Sequence, residues 1–249
     1  MQRDELVTYL DDLLRVREIE DRSRNGLQVE GNPEVETVAF TVDASLAAFQ
    51  GAREAGAQML VVHHGLFWDE VQVVRGPFYR RLKTLLDADL NLYAAHVPLD
   101  MHPELGNNVA LANLIGLEDR QPFGEFHGKH IGLGGRLPTS IPRERLVCLL
   151  TERLGAPRVL PFGPQVVQRV AICSGKAPQM VVQASEERYD TYLSGEADHT
   201  FFHEAKERGI NVVYGGHYLT ETLGPKALMA HLAERFGLRT VWLDLPTGL

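Results

Sequence analysis

Only two cysteines occur in the 249 residues, Cys148 and Cys173, and they are far apart in the chain. A thiolate zinc cluster and a CxxC redox pair are therefore excluded. Each cysteine lies in an apolar stretch and reads as a buried thiol. No apolar run approaches the ~18 residues that a membrane-spanning helix needs. The opening MQRDELVTYLDDLL is charged and helical in pattern rather than leader-like, so a cytoplasmic protein is expected. Positive charge is also scarce: 25 Lys and Arg face 33 Asp and Glu, a net charge of -8. That balance argues against a nucleic-acid groove or an anionic membrane as main partner. A small anionic substrate stays open, because a bound cation can invert the local field. The sequence has no GxxxxGK[ST] loop, no GxSxG elbow and no strand–GxGxxG–helix unit. GLGG at 132–135 lacks that context and reads as a strand bend or bulge.

What is present is an alternation of apolar runs and helical patterns. Residues 2–15 predict an amphipathic helix, and Asn25-Gly26 a turn. Residues 37–42 predict a strand and 46–55 a helix. Residues 58–62 predict a strand ending at His63-His64-Gly65, and 78–90 a helix. Residues 92–95 predict a strand ending at His96, and 107–114 a helix. This β-α-β-α-β order predicts a mostly parallel sheet covered by helices. The glycine- and charge-rich stretch 117–136, with a strand around 131–135, places a boundary near 123. The expected organisation is thus α/β, with two similar α/β lobes over 1–123 and 124–249. Each has a mostly parallel mixed sheet flanked by helices, with a metal site between them. A helix over 142–154 follows, with Ser140 as its candidate cap.

After Arg169 the first pattern returns, which points to an internal duplication. Val38-Ala39-Phe40 is echoed by Val170-Ala171-Ile172 at an offset of 132, which places His63-His64 on Gly195-Glu196. Tyr93-Ala94-Ala95-His96 is echoed by Tyr214-Gly215-Gly216-His217 at an offset of 121, which places Asp100 on Glu221.

Carboxyl ends of parallel strands are where α/β proteins bind ligands. His63, His64, His96 and His217 all fall at such ends. Imidazole and carboxylate together suit first-row divalent metals. Adjacent histidines diverge along a continuing strand, but a turn at Gly65 would let both rings face one pocket and serve two metals. His217 and Glu221, four residues apart, share a face if a helix starts there. Pro225 allows the alternative, a turn over 217–221 followed by a helix to 236. Glu221, with two oxygens, is the candidate bridge. His96 and Asp100 have the same spacing, yet Pro98 pushes Val97 from helical angles and predicts an extended loop. His96 reads as a ligand, as a group that orients a ligand, or as a proton shuttle. Asp198 reads as the cap of a helix over 200–208. His102, His127, His130, His203 and His231 have no convergent partners, and His231 reads as structural.

NGLQVEG (25–31), TVDAS (41–45), VVHHGLFW (61–68), HVPLDMHPELGNN (96–108), LSGEADH (193–199) and GGHYLTE (215–221) occur in this order. They resemble the signature blocks of the Nif-three-like proteins, also called GTP cyclohydrolase 1 type 2 homologues. The resemblance implies a dinuclear site of His63, His64, Asp100, His217 and Glu221, with Glu221 touching both metals. It adds Asp100, which spacing alone left ambiguous. It also implies two similar lobes and a ring-shaped homohexamer. The expected function is a metal-dependent hydrolase acting on a nucleotide or related small molecule through a metal-bridged water, with His96 as the proton-transfer candidate. The competing function is non-enzymatic: metal storage, metal delivery or regulatory interaction. The cofactors expected are two divalent ions per subunit from among zinc, iron, manganese, nickel and cobalt.

Overall fold

The computed structural model describes residues 1–126 and 128–249. His127, read above as lacking convergent partners, lies outside them. Among the described residues the strands are, in chain order, β1 (Gly26–Val29), β2 (Thr37–Asp43), β3 (Met59–His64), β4 (Asn91–Ala94), β5 (Glu118–Phe126), β6 (Lys129–Pro142), β7 (Arg158–Pro161), β8 (Val166–Cys173), β9 (Thr191–Ser194), β10 (Asn211–Tyr214) and β11 (Arg239–Trp242). They fall into two compact units. The first comprises Met1–Leu105 with Gly224–Leu245, and the second Gly106–Leu223 with Pro246–Leu249.

The first unit holds one sheet in the order β1-β4-β3-β2-β11. The strands from β4 to β11 are parallel, and β1 closes antiparallel on β4. Both faces are covered. Ala39, Leu60, Val62 and Leu92 pack with Phe49 and Leu85 on one side. Val38, Phe40, Met59, Val61 and Tyr93 pack with Leu6, Leu10, Leu228 and Leu232 on the other. Burial on two faces explains why these strands read as continuous apolar runs rather than alternating ones. Helix Arg3–Leu14 docks through Leu6, Leu10 and Leu14, one per turn.

The second unit holds a sheet in the order β5-β6-β8-β9-β10-β7. Its centre, β8-β9-β10, is parallel; β5, β6 and β7 add antiparallel pairings at the edges. The stretch 117–136 is mostly the β5–β6 hairpin, so position 123 falls inside β5, and the units part between Leu105 and Gly106. Residues 118–122 of β5 are exposed and polar, which gives an edge strand the composition of a linker.

The two sheets repeat one four-strand frame. Val38 pairs with Met59 and Val170 with Thr191, each member 132 residues on. Met59 in turn pairs with Asn91, and Thr191 with Asn211. The fourth strand therefore repeats at 120, one residue short of the offset read from the tyrosines. Buried asparagines set this register. Asn91 Oδ1 accepts from the Gly31 N–H at 2.8 Å, and its Nδ2 donates to Asn32 O at 2.8 Å and Gln58 O at 2.9 Å. Asn211 Oδ1 accepts from the Gly163 N–H at 3.0 Å, and its Nδ2 donates to Pro164 O at 2.8 Å. Both glycines are needed: a Cβ on Gly31 would lie 2.4 Å from Asp89 O, and one on Gly163 2.5 Å from Asn211 N. With this register Val97, not His96, is the counterpart of His217, and Thr220 is that of Asp100.

Three local expectations change, and one left open is decided. Val97–Asp100 is a helical turn, not an extended loop, because Pro98 sits in its first turn, where no N–H is required. His217–Glu221 is a short helix, and a separate helix, Leu223–Phe236, carries Pro225 in its first turn. Ser140 lies within β6 and does not cap helix Arg143–Leu154. Cys173 is buried but Cys148 is exposed, since that helix turns Leu146, Leu150 and Leu154 inward and Cys148 outward.

Candidate metal centre

In the first unit, β2, β3 and β4 end side by side and deliver Asp43, His63, His64 and His96 to one edge. His63 is fully buried, with Nδ1 2.8 Å from Ala95 O. A carbonyl only accepts, so Nδ1 carries the hydrogen and Nε2 keeps its lone pair. Nε2 lies 3.5 Å from Asp100 Oδ2. His64 Nδ1 is 2.8 Å from Asp43 Oδ1, and His96 Nδ1 is 2.9 Å from Asp21 Oδ2. Each ring is thus held through Nδ1 by an oxygen and presents Nε2 as its basic atom. Ring centroids are 4.8 Å apart for His63 and His64, 5.1 Å for His63 and His96, and 5.5 Å for His64 and His96. One ligand atom from each of the three lies within 4.8 Å of the others. The strand runs through His64 and ends there, and the two rings approach each other.

Asp21 anchors this edge. Burial pushes its pKa up, but hydrogen bonds and charge from His96, aided by Asn25, outweigh burial and hold the carboxyl at about 2. It also accepts the Val97 N–H at 3.1 Å and Asn25 Nδ2 at 2.8 Å, while Asn25 Oδ1 accepts the His96 N–H at 2.8 Å. The Trp68 ring meets His96 edge-on at 5.1 Å.

In the second unit, β9 and β10 deliver Glu196 and His217. His217 Nδ1 is 2.7 Å from Glu196 Oε2, and its Nε2 is 3.1 Å from Glu221 Oε2. Burial lowers the His217 pKa, but hydrogen bonds and charge from Glu221 and Glu196 override it and lift the pKa to about 9. Lys176 Nζ lies 3.2 Å from Glu196 Oε1. Gly175, at φ +60°, makes room for the site: a Cβ there would fall 2.0 Å from Glu221 Oε1. Gly175 and Glu196 stand where the first unit has Asp43 and His64, each 132 residues on. One frame therefore carries an aspartate–histidine pair in one unit and a glycine–glutamate pair in the other.

The donor set fits a divalent first-row ion. Imidazoles fixed at Nδ1 by an oxygen are the usual form of metal-ligating histidine, and carboxylates stand beside them in both units. Among the other histidines, His102 Nδ1 accepts backbone N–H groups from Glu104 and Leu105 at 3.2 and 3.0 Å. His231 bonds and stacks with Tyr9. Asp198 caps the next turn, accepting the Thr200 N–H at 2.9 Å. Asp21 and Asp43 were not among the residues expected at this site. A carboxylate closing β2, inside TVDAS, was the available signal for Asp43; Asp21 sits in a loop and offered none.

A family model described as Duf34/NIF3 (NGG1p interacting factor 3) matches residues 1–246. The chain belongs to the DUF34/NIF3 family. A relative from Pyrococcus horikoshii, named GTP cyclohydrolase 1 type 2 homolog, is 47% identical over 251 residues, spanning all of both chains. A Deinococcus radiodurans relative of the same name is 42% identical over 248 residues, covering 99% of this chain and 94% of its own. The crystal structure of TTHA1606 from Thermus thermophilus is 44% identical, with a TM-score of 0.93 over the whole of each chain. In this DUF34/NIF3 chain, among the described residues, no helix is long and apolar enough to cross a membrane.

Proposed function

We propose that this DUF34/NIF3 chain binds two divalent metal ions through His63, His64, Asp100, His217 and Glu221, with Glu221 shared between them. We further propose that it hydrolyses a nucleotide or a related small molecule. The supporting observation is the fixed orientation of the imidazoles, each tied at Nδ1 to Ala95 O, Asp43 or Asp21 in the first unit and to Glu196 in the second. Holding rings this way costs side-chain freedom that packing alone does not require, and it fixes the tautomer a metal needs. Zinc, iron, manganese, nickel and cobalt all suit these donors. Bound there, such ions would supply Lewis acidity and a lowered pKa for water. His96 is the group that moves a proton, and Asp21 holds its ring and tautomer. The relatives' name suggests opening of a purine ring in a nucleotide as the first reaction to try. The assembly proposed is a homohexamer, for which light scattering should return six times the mass of the chain.

The test is a screen of purified protein, loaded with each metal in turn, against purine nucleotides and phosphodiesters. Metal-dependent turnover is expected, and His96→Gln should lose about 10²–10⁴-fold in rate while keeping its metal. No metal-dependent turnover on any substrate would leave metal storage or delivery as the function. The residues that orient the ligands have their own test. Asp43→Asn should weaken metal binding about 10- to 100-fold in competition with a chelator. An unchanged affinity would mean that His64 is not a ligand held through Asp43.

A further inference from the structure

Three arginines in the second unit lie together. Arg120, Arg136 and Arg169 form no ion pair among the described residues, and they line one concave pocket of about 440 Å³. That size lies within the range of small-molecule sites. Arg136 and Arg169 are direct partners across β6 and β8. Their side chains therefore leave the same face of the sheet, where facing like charges are destabilising. Arg120 joins them from the irregularity in β5, between the Glu118 and Gln121 pairings.

The three guanidiniums are held, but by neutral acceptors. Arg120 Nε donates to Leu117 O at 2.7 Å, and Arg136 Nη2 to Gln168 Oε1 at 3.3 Å. Arg169 donates to Arg188 O at 3.0 Å and Glu187 O at 3.1 Å, and it lies over the Tyr189 ring at 5.0 Å. Tyr189 is itself fixed by close packing on Gly134, where a Cβ would fall 1.9 Å from its hydroxyl oxygen. Carbonyl and amide partners orient a guanidinium without cancelling its charge. One carboxylate, Asp119, shares the lining. Glu118, the cross-strand partner of Arg136, makes no ion pair with it among the described residues. The pocket keeps an excess of positive charge on a chain whose net charge is -8. Arg169 and Tyr189 lie one and two residues before the parallel pairing of β8 with β9 begins at Val170 and Thr191, whereas Glu196 and His217 follow the carboxyl ends of β9 and β10.

We infer that Arg120, Arg136 and Arg169 form a binding site, separate from the metal centre, for a phosphorylated small molecule gripped through its phosphate groups. Pre-oriented guanidinium forks match phosphate oxygens two at a time, and a bound anion removes the repulsion between Arg136 and Arg169. The site does not depend on the metal reading.

The probe is inorganic triphosphate, titrated calorimetrically into the full chain in the presence of a chelator. Saturable binding of one triphosphate per chain is expected. Arg136→Ala and Arg169→Ala should each weaken it about 10- to 100-fold. Arg169→Lys, which keeps the charge and loses the fork, should fall between. Glu221→Ala and the control Arg239→Ala should bind as the parent does. Without anion, Arg136→Ala should melt no lower than the parent, because it removes a like-charge pair. The inference is overturned if the parent shows no saturable binding, or if Arg136→Ala and Arg169→Lys bind like the parent. It is equally overturned if the Arg239→Ala control weakens as much as they do, which would make the attraction diffuse.

Discussion

Glu221→Ala is expected to purify with most of its metal gone. Glu221 is 3% exposed, and one carboxylate oxygen lies 3.1 Å from His217 Nε2. Gly175 leaves the space that the other oxygen fills. A truncated side chain removes the one ligand proposed to serve both ions, so neither ion keeps a full set of donors. Elemental analysis against the parent protein gives the answer directly. Two ions per chain retained in the variant would end the assignment of Glu221 as the bridge. Gly175→Ala should act in the same direction through a different cause, since its Cβ would displace the Glu221 carboxylate and its φ of +60° disfavours any side chain.

Asn91→Ala should cost about 2–4 kcal/mol of stability, as much as a large core truncation, although it removes no apolar surface. Asn91 is fully buried and makes three hydrogen bonds that join the turn at Gly31 and Asn32 to the end of the turn before β3. Alanine leaves the Gly31 N–H and the Asn32 carbonyl without this partner, while Gln58 O keeps the backbone N–H of residue 91 at 2.9 Å, and each group so orphaned costs about 1–3 kcal/mol when water cannot reach it. Asn211→Ala should lose a comparable amount, because two of the three bonds recur at Gly163 and Pro164 and Asn211 Oδ1 also accepts from Arg143 Nη1 at 3.2 Å. Chemical denaturation of both variants is the measurement. A loss under about 1 kcal/mol in either would show that the asparagine does not set the register of its sheet.

Most of the strand and helix positions were legible in the sequence, because strands buried on two faces leave short apolar runs that turns and helices punctuate. The histidines at strand ends were legible for the same reason, since each closes a run. Two kinds of feature were not. The β5–β6 hairpin is exposed and polar, so composition alone made it resemble a linker. The repeat register failed by one residue in the fourth strand because tyrosines at 93 and 214 match by type, while the hydrogen bonds that fix the strand belong to asparagines at 91 and 211. The carboxylates that orient the imidazoles lay in plain view at Asp21, Asp43 and Glu196. Nothing in their spacing tied them to His96, His64 or His217, because those contacts exist only after the strands pair.

The return of the chain through β11 has a consequence for synthesis. β11 pairs with β2 and completes the first sheet, yet the whole segment 106–223 lies between them in the chain. While a ribosome is still making the second unit, β2 stands as an open edge with unpaired backbone groups. Helix Leu223–Phe236, whose Leu228 and Leu232 cover one face of that sheet, is also still to come. The sheet begun first is thus completed after the other sheet, and its nascent form passes through a stage at which strangers can add a strand to it.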